Sequence, residues 1–334
     1  MRPFKFSTTT DSNEVSKILI ANPLARLLGG GTNLLDLMKE DVERPNELVE
    51  VDGIDIMKTL SASSSAGGIV IGAAEKNTNT ANDAAIREKF PMLSQAILAG
   101  ASVQIRNMAT NGGNLNQRTR CTYFYDVAMP CNKREPGSGC AALKGHNRMH
   151  AIFGWSDKCV AVHPSDMCVA LSALDAVVKV QGANGTQRNI PFKAYHRLPG
   201  DQPEKDNTLQ PGELITSIEI PKNNFAENSY YLKIRDRSSY AFAMISVAAA
   251  MELKNNKIVQ AKIAMGGVAH KPWRAPIAEK YLQNKEATEA NFKIAAANEM
   301  RMAKPLEHNL YKVELGRRAI VRALMQAANG GKTI

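Results

Sequence analysis

Five cysteines carry the densest chemistry in this 334-residue chain: Cys121, Cys131, Cys140, Cys159 and Cys168 crowd into about one seventh of its length. The first four run Cys-x9-Cys-x8-Cys-x18-Cys, unlike the paired C-x-x-C of zinc ribbons or the C-x2-C-x2-C run of bacterial ferredoxins. Between them lie Pro130, Pro136, Gly137, Gly139 and Gly145, which forbid a regular element and leave a loop needing an internal organiser. Four thiolates would supply one. Their spacing leaves iron–sulfur, tetrahedral zinc, disulfides and free thiols all open. Cys168, in the apolar run Met167-Cys-Val-Ala-Leu171, reads instead as a core thiol.

Two glycine-rich turns form a second constellation. Leu27-Leu28-Gly29-Gly30-Gly31-Thr32-Asn33-Leu34 ends a strand and opens a helix, so its backbone N–H groups can converge on a phosphate with no Cβ in the way. Ala109-Thr110-Asn-Gly-Gly113-Asn114-Leu115 repeats the combination of small residues with hydroxyl and amide groups. Two such cradles suit a diphosphate, with Thr32, Asn33, Thr110 and Asn114 donating to phosphate or ribose oxygens. Neither turn matches G-x-G-x-x-G or G-x-x-x-x-G-K-[ST], which argues against a Rossmann or P-loop site. The six histidines show no H-E-x-x-H spacing and no Ser-His-Asp arrangement. His163 and His270 read as loop histidines with backbone partners, and Trp155 and Trp273 as packing residues. No catalytic side chain is expected.

The elements that must position these turns are legible in outline. Leu24–Leu28 and Glu47–Val51 read as strands flanking a short helix over Leu34–Glu40. The glycine-rich stretch Ser61–Gly68 separates this unit from a strand at Ile69–Gly72, with helices at Thr80–Lys89 and Met92–Gly100. Asp166–Ala176 reads as a helix, Val177–Val180 as a strand, and Asn184-Gly185 as a hairpin turn. A polar break at Pro221–Ser229 marks a domain boundary. Beyond it Val259–Met265 alternates with period two, a strand with one face buried, and helical periodicity from Ala275 completes an α+β unit.

Composition narrows the class. A chain of 36.4 kDa, 44% hydrophobic and 22% charged, with no apolar run near the roughly 20 residues needed to cross a bilayer, reads as soluble, globular and not inserted in a membrane. Net charge is +10, yet the basic residues are scattered without the basic–aromatic alternation of nucleic-acid binding, so no nucleic-acid partner is expected. The opening Met1-Arg-Pro-Phe-Lys-Phe turns polar at Ser7, giving no secretory signal.

At these motifs the chain resembles the FAD-binding medium subunits of the xanthine dehydrogenase/aldehyde oxidoreductase family of molybdenum hydroxylases. The likeness covers 28–39, 104–114, His163-Pro-Ser-Asp166, Pro211–Pro221 and Gly266–Arg274. The cysteine segment is inserted between the second glycine turn and the Ser-Asp motif, like the insertion of periplasmic-type aldehyde oxidoreductases, where four cysteines hold a [4Fe-4S] cluster. 4-Hydroxybenzoyl-CoA reductase has a comparable loop. The resemblance implies FAD held by residues 27–34, Thr110, Gly113, Asn114, Asp166, Ile215 and Lys233, and a [4Fe-4S] cluster on Cys121, Cys131, Cys140 and Cys159. Asp166 would meet a ribose or flavin edge, Ile215 would pack on the isoalloxazine, and Lys233 would approach the flavin ring. Asn33 stands where several relatives carry Glu. The implied fold is a two-part FAD domain of the vanillyl-alcohol-oxidase type (1–60 and 61–224, with the insertion at about 118–162). A C-terminal α+β domain over 228–330 follows, with a three-stranded antiparallel sheet. The implied role is electron transfer beside a large molybdenum subunit and a small subunit with two [2Fe-2S] centres, toward an external acceptor. The compartment is either periplasmic, through co-export with a signal-bearing partner, or cytoplasmic. A zinc-stabilised, non-redox nucleotide-binding subunit is the rival from another class.

Overall fold

The computed structural model describes residues 1–62 and 67–331, and three sheets organise them. The first is parallel, in the order β1-β3-β2, built from β1 (Lys5–Thr8), β2 (Ala25–Leu28) and β3 (Glu47–Glu50). Helix α1 (Ser12–Ala21), capped by the Asp11 carboxylate accepting from the Asn13 N–H, and α2 (Leu34–Lys39) make the crossovers. The expected strand, glycine loop and helix at the start of the chain are therefore present.

The second sheet is antiparallel, in the order β4-β5-β8-β6-β7: β4 (Leu60–Ala62), β5 (Ile69–Gly72), β6 (Val177–Gln181), β7 (Gln187–Pro191) and β8 (Leu214–Ile220). Part of the supposed separator over 61–68 is thus strand; residues 63–66 lie outside the described residues. The helix expected over Thr80–Lys89 is two, α3 (Asn77–Asn82) and α4 (Ala84–Lys89), because the Asp83 side chain caps α4 by accepting from the Ile86 N–H at 3.0 Å. The hairpin turn holds Asn184 and Gly185 at φ +57° and +74°. Helices α5 (Pro91–Ala99), α6 (Val103–Met108), α7 (Asn111–Asn116), α8 (Thr122–Tyr125), α9 (Asp166–Ala173) and α10 (Phe192–Tyr195) complete this part.

The third sheet runs β12-β11-β10-β9, from β9 (Ser229–Ile234), β10 (Ile245–Lys254), β11 (Lys257–Gly266) and the two-residue β12 (Trp273–Arg274), covered by α11 (Pro276–Leu282), α12 (Glu289–Met300) and α13 (Tyr311–Ala328). The short edge strand β12 makes it four-stranded, where three strands were expected. The expectation of one buried face on β11 also needs correction, since Ile263, Ala264 and Met265 are all buried in succession. Sheet three is a shared wall. Ala248 and Ala250 face the core of the N-terminal part, while Val247, Ala249 and Met251 face the helices of the C-terminal part. Small residues permit the close approach of α9: a Cβ at Gly266 would meet Val169 Cγ2 at 2.6 Å.

Candidate cofactor cleft and cysteine site

The two glycine turns meet. A Cβ on Gly30 would overlap the Met108 carbonyl oxygen, and one on Gly29 would come to 2.6 Å of Thr110 Oγ1, so the first turn lies directly against the second. Gly31, at φ +70°, needs glycine for its backbone as well. Thr110 caps α7 by accepting from the Gly113 N–H at 3.2 Å. Together the turns floor a cleft of about 1620 Å³, beyond the roughly 300–1,000 Å³ of drug-sized sites.

Leu27 to Leu34, Thr110, Gly113, Asn114, Asp166 and Lys233 all line that cleft. Ile215 does not line it. It is buried in the core on β8, opposite Val180. Two other expected donors are committed within the protein. Asn114 Nδ2 donates to Asn77 Oδ1 at 2.7 Å, and its Oδ1 accepts from Ser165 Oγ and Gln117 Nε2, both at 2.6 Å. Lys233 Nζ donates to Asp166 Oδ2 at 2.7 Å and to the Ala99 carbonyl at 3.0 Å, while Tyr231 Oη donates to Asp166 Oδ1 at 2.6 Å. This buried pair ties β9 to the start of α9 and the end of α5. Asn33 Oδ1 accepts from the Arg118 N–H at 2.8 Å, and its buried Nδ2 faces the Tyr125 hydroxyl without a close hydrogen bond. A cleft floored by Cβ-free backbone fits a phosphate-bearing dinucleotide.

The loop cysteines gather behind this cleft. Cys121, Cys131, Cys140 and Cys159 line one small cavity, all of them free thiols. Cys131 and Cys140 face each other across an antiparallel bridge. Backbone N–H groups of Phe124 and Tyr123 point at the Cys121 sulfur, those of Val160, Leu143 and Ala142 at Cys140, and that of Ala161 at Cys159. Burial pushes the Cys121 and Cys159 thiols up to about 12, so thiolates here require a compensating cation. Among the described residues, the one group of His, Cys, Asp or Glu donors gathered within 4.8 Å of one another is His163, Cys168 and His196. No three loop sulfurs meet that limit.

Residues 118–121 separate the two sites. Arg118 and Arg120 line the cleft, and Thr119 and Cys121 line the cysteine cavity. Arg118 Nε donates to Asp206 Oδ2 at 2.9 Å, its Nη1 pairs with Glu43, and Lys133 Nζ donates to Asp206 Oδ1 at 2.5 Å. Burial opposes the Asp206 carboxylate, but Lys133 and Arg118 outweigh it and hold its pKa well below the usual range. These four residues were missed in the sequence. The one local signal was the alternation of charged and uncharged residues before Cys121.

His150 Nε2 lies 3.1 Å from Cys121 Sγ, and burial lowers this imidazole to about 4, keeping it neutral. The expected backbone partners of the His163 and His270 rings are not made: His163 Nε2 and both His270 ring nitrogens are buried without partners. Trp273 stacks on Phe153 at 4.7 Å, and Trp155 Nε1 donates to the Lys304 carbonyl at 2.7 Å, as packing residues should. Cys168 is fully buried in the core on α9.

Comparison with known proteins agrees with this geometry. Residues 2–223 match the FAD binding domain in molybdopterin dehydrogenase, and residues 230–327 the CO dehydrogenase flavoprotein C-terminal domain. The chain is 42% identical to the aldehyde oxidoreductase FAD-binding subunit PaoB of Escherichia coli K12, over 98% of this chain and 99% of that one. It is 26% identical to the glyceraldehyde dehydrogenase medium chain of Sulfolobus acidocaldarius, over 97% and 98%. In fold it resembles a chain of reconstituted CO dehydrogenase from Oligotropha carboxidovorans, with TM-score 0.77 at 21% identity over 99% and 100% of the two chains. Quinoline 2-oxidoreductase from Pseudomonas putida 86 is similar, with TM-score 0.75 at 21% identity over 98% of each. With both domains matched in order and a full-length relative at 42% identity, the chain belongs to the FAD-binding medium subunits of the molybdenum hydroxylases and is an oxidoreductase subunit.

Proposed function

We propose that this chain is the FAD and [4Fe-4S] electron-transfer subunit of a heterotrimeric molybdenum hydroxylase, accepting electrons from a [2Fe-2S] subunit and delivering them to an external acceptor during aldehyde oxidation. The aldehyde assignment rests on the 42% identity to an aldehyde oxidoreductase FAD-binding subunit. The observation that carries the redox reading is the pairing of the glycine-floored cleft with four converging free thiols behind a wall formed by residues 118–121.

FAD supplies the exchange between one-electron donors and a two-electron acceptor. The chain's own residues bind and orient. The turns at 29–31 and 109–114 offer backbone N–H groups to the diphosphate. The Asp166–Lys233 pair fixes the junction of α5, α9 and β9 that forms the inner wall. Cys121, Cys131, Cys140 and Cys159 would hold the cluster, with the amides around them stabilising thiolate charge. No side chain has to act as a general base.

The test is the cofactor content of the anaerobically purified chain. Flavin bands near ~450 nm with a broad iron–sulfur shoulder, both bleached by dithionite, are expected. In Cys131→Ser the iron should fall by about four atoms per chain. A colourless protein sinks the relay reading, and zinc in place of iron sinks the cluster.

A further inference from the structure

The cations of the buried network come from the cysteine segment and its start, and the carboxylates from outside it. Arg118 and Lys133 belong to the cysteine segment, Lys133 lying between Cys131 and Cys140 and lining the thiol cavity. Glu43 and Asp206 belong to the cleft wall. Lys133 Nζ reaches out of its loop to Asp206 Oδ1 at 2.5 Å and the Pro203 carbonyl at 2.6 Å, with only 2% of its side chain exposed. Arg118 holds Glu43 and Asp206 together and donates to the Lys133 and Glu204 carbonyls at 3.3 and 3.4 Å. Thus the wall segment 196–213 and the segment after α2 are both fastened by cations whose positions depend on how the cysteine loop is folded.

Residues 121–159 contain little regular structure and are held mainly by side-chain-to-backbone bonds, such as Asn132 Oδ1 accepting from the Gly137 and Gly139 N–H groups. A ligand shared by the four sulfurs would therefore add the restraint that joins Cys131 and Cys140, on either side of Lys133, to Cys121 and Cys159. Were the loop to lose its organiser, Asp206 would be left without its cations, and Glu43 with Arg26 alone, in the cleft that takes an anionic diphosphate. Like charges on a partly desolvated wall oppose that ligand.

We propose that the Glu43–Arg118–Asp206–Lys133 network couples the two sites, so that an organised cysteine site raises the affinity of the cleft for flavin. Arg118 and Lys133 are positioning residues in this scheme. Reciprocity follows: bound flavin must strengthen retention of the metal by the same factor. The inference rests on the cluster reading proposed above and adds a thermodynamic link that the reading alone does not require.

The test uses the full-length chain, stripped of flavin and reloaded with FAD, with dissociation constants read by flavin fluorescence and iron measured in each sample. Lys133→Met should weaken FAD binding roughly tenfold with iron still bound, and Lys133→Arg should retain most of the affinity. Removing iron from the wild type by chelation should weaken FAD binding by a similar factor and add little in Lys133→Met, closing a thermodynamic cycle. Asp206→Asn, which removes the buried charge itself, should likewise make FAD affinity insensitive to chelation, and it serves where Lys133→Met fails to fold. The coupling is overturned when Lys133→Met binds FAD within about twofold of wild type, or when chelation weakens both proteins equally. Absence of iron in the wild type would overturn the cluster reading; the Lys133→Met titration would still decide the network.

Discussion

Gly30 has no room for a side chain, because its Cα faces the Met108 carbonyl across the seam between the two turns. Gly30→Ala is therefore expected to part the turns and abolish flavin retention, read as loss of the absorbance near ~450 nm relative to protein; full flavin content would refute that seam. The Asp166–Lys233 pair has side chains 7% and 5% exposed, so removing one partner leaves a buried charge alone. Asp166→Asn should lower stability by about 3–5 kcal/mol in urea unfolding, and Asp166→Asn with Lys233→Met by less than the sum of the two single changes. At this scale the sequence was generous with the glycine turns, whose residues are contiguous. It was silent on Lys133 and Asp206, which are 73 positions apart and meet only through the fold. Ile215 was named from a motif position alone, and its side chain lies in the core.

The elements around the cysteine segment are held by the C-terminal helices as much as by their own turns. Asn309 Nδ2 donates to the His150 and Ala151 carbonyls at 3.2 Å, and Lys312 Nζ, at the start of α13, donates to the His150 and Gly267 carbonyls at 3.0 and 2.8 Å. Among the described residues no carboxylate forms an ion pair with Lys312, and burial lowers its pKa from 10.5 to about 7. Below pH ~7 folded and unfolded chains both carry the proton, so the burial cost is constant. Between about 7 and 10.5 the unfolded chain keeps a proton that the folded chain has released, so stability should rise with pH by about 1.4 kcal/mol per unit. Lys312→Met should flatten that rise in urea midpoints measured from pH 7 to 10; parallel profiles would contradict it. Element types were legible wherever a periodic run was uninterrupted, as in β2, β3 and α13. They were misread where a cap sat inside the run, as at Asp83, or where a second layer covered the supposed solvent face, as on β11. The extra strand β12 is two residues long, too short for any period to announce it.

Taken whole, the molecule places its cleft where three parts of the chain converge: the parallel sheet supplies the first turn, the antiparallel sheet and its helices supply the second turn and the cysteine wall, and β9 supplies Lys233. That convergence explains why a diphosphate cradle could be read from local motifs while the size and walls of the cleft could not. In the proposed role, electrons leave the enzyme through the flavin held here. The most direct measurement compares the purified complex carrying wild-type chain with one carrying Gly30→Ala, shown by absorbance to be flavin-free, following reduction of the partner's iron–sulfur centres by substrate and of an external acceptor in the same experiment. The expected result is that substrate still reduces the partner's centres in the variant while acceptor reduction falls to background. Acceptor reduction at the wild-type rate in the flavin-free complex would contradict the account.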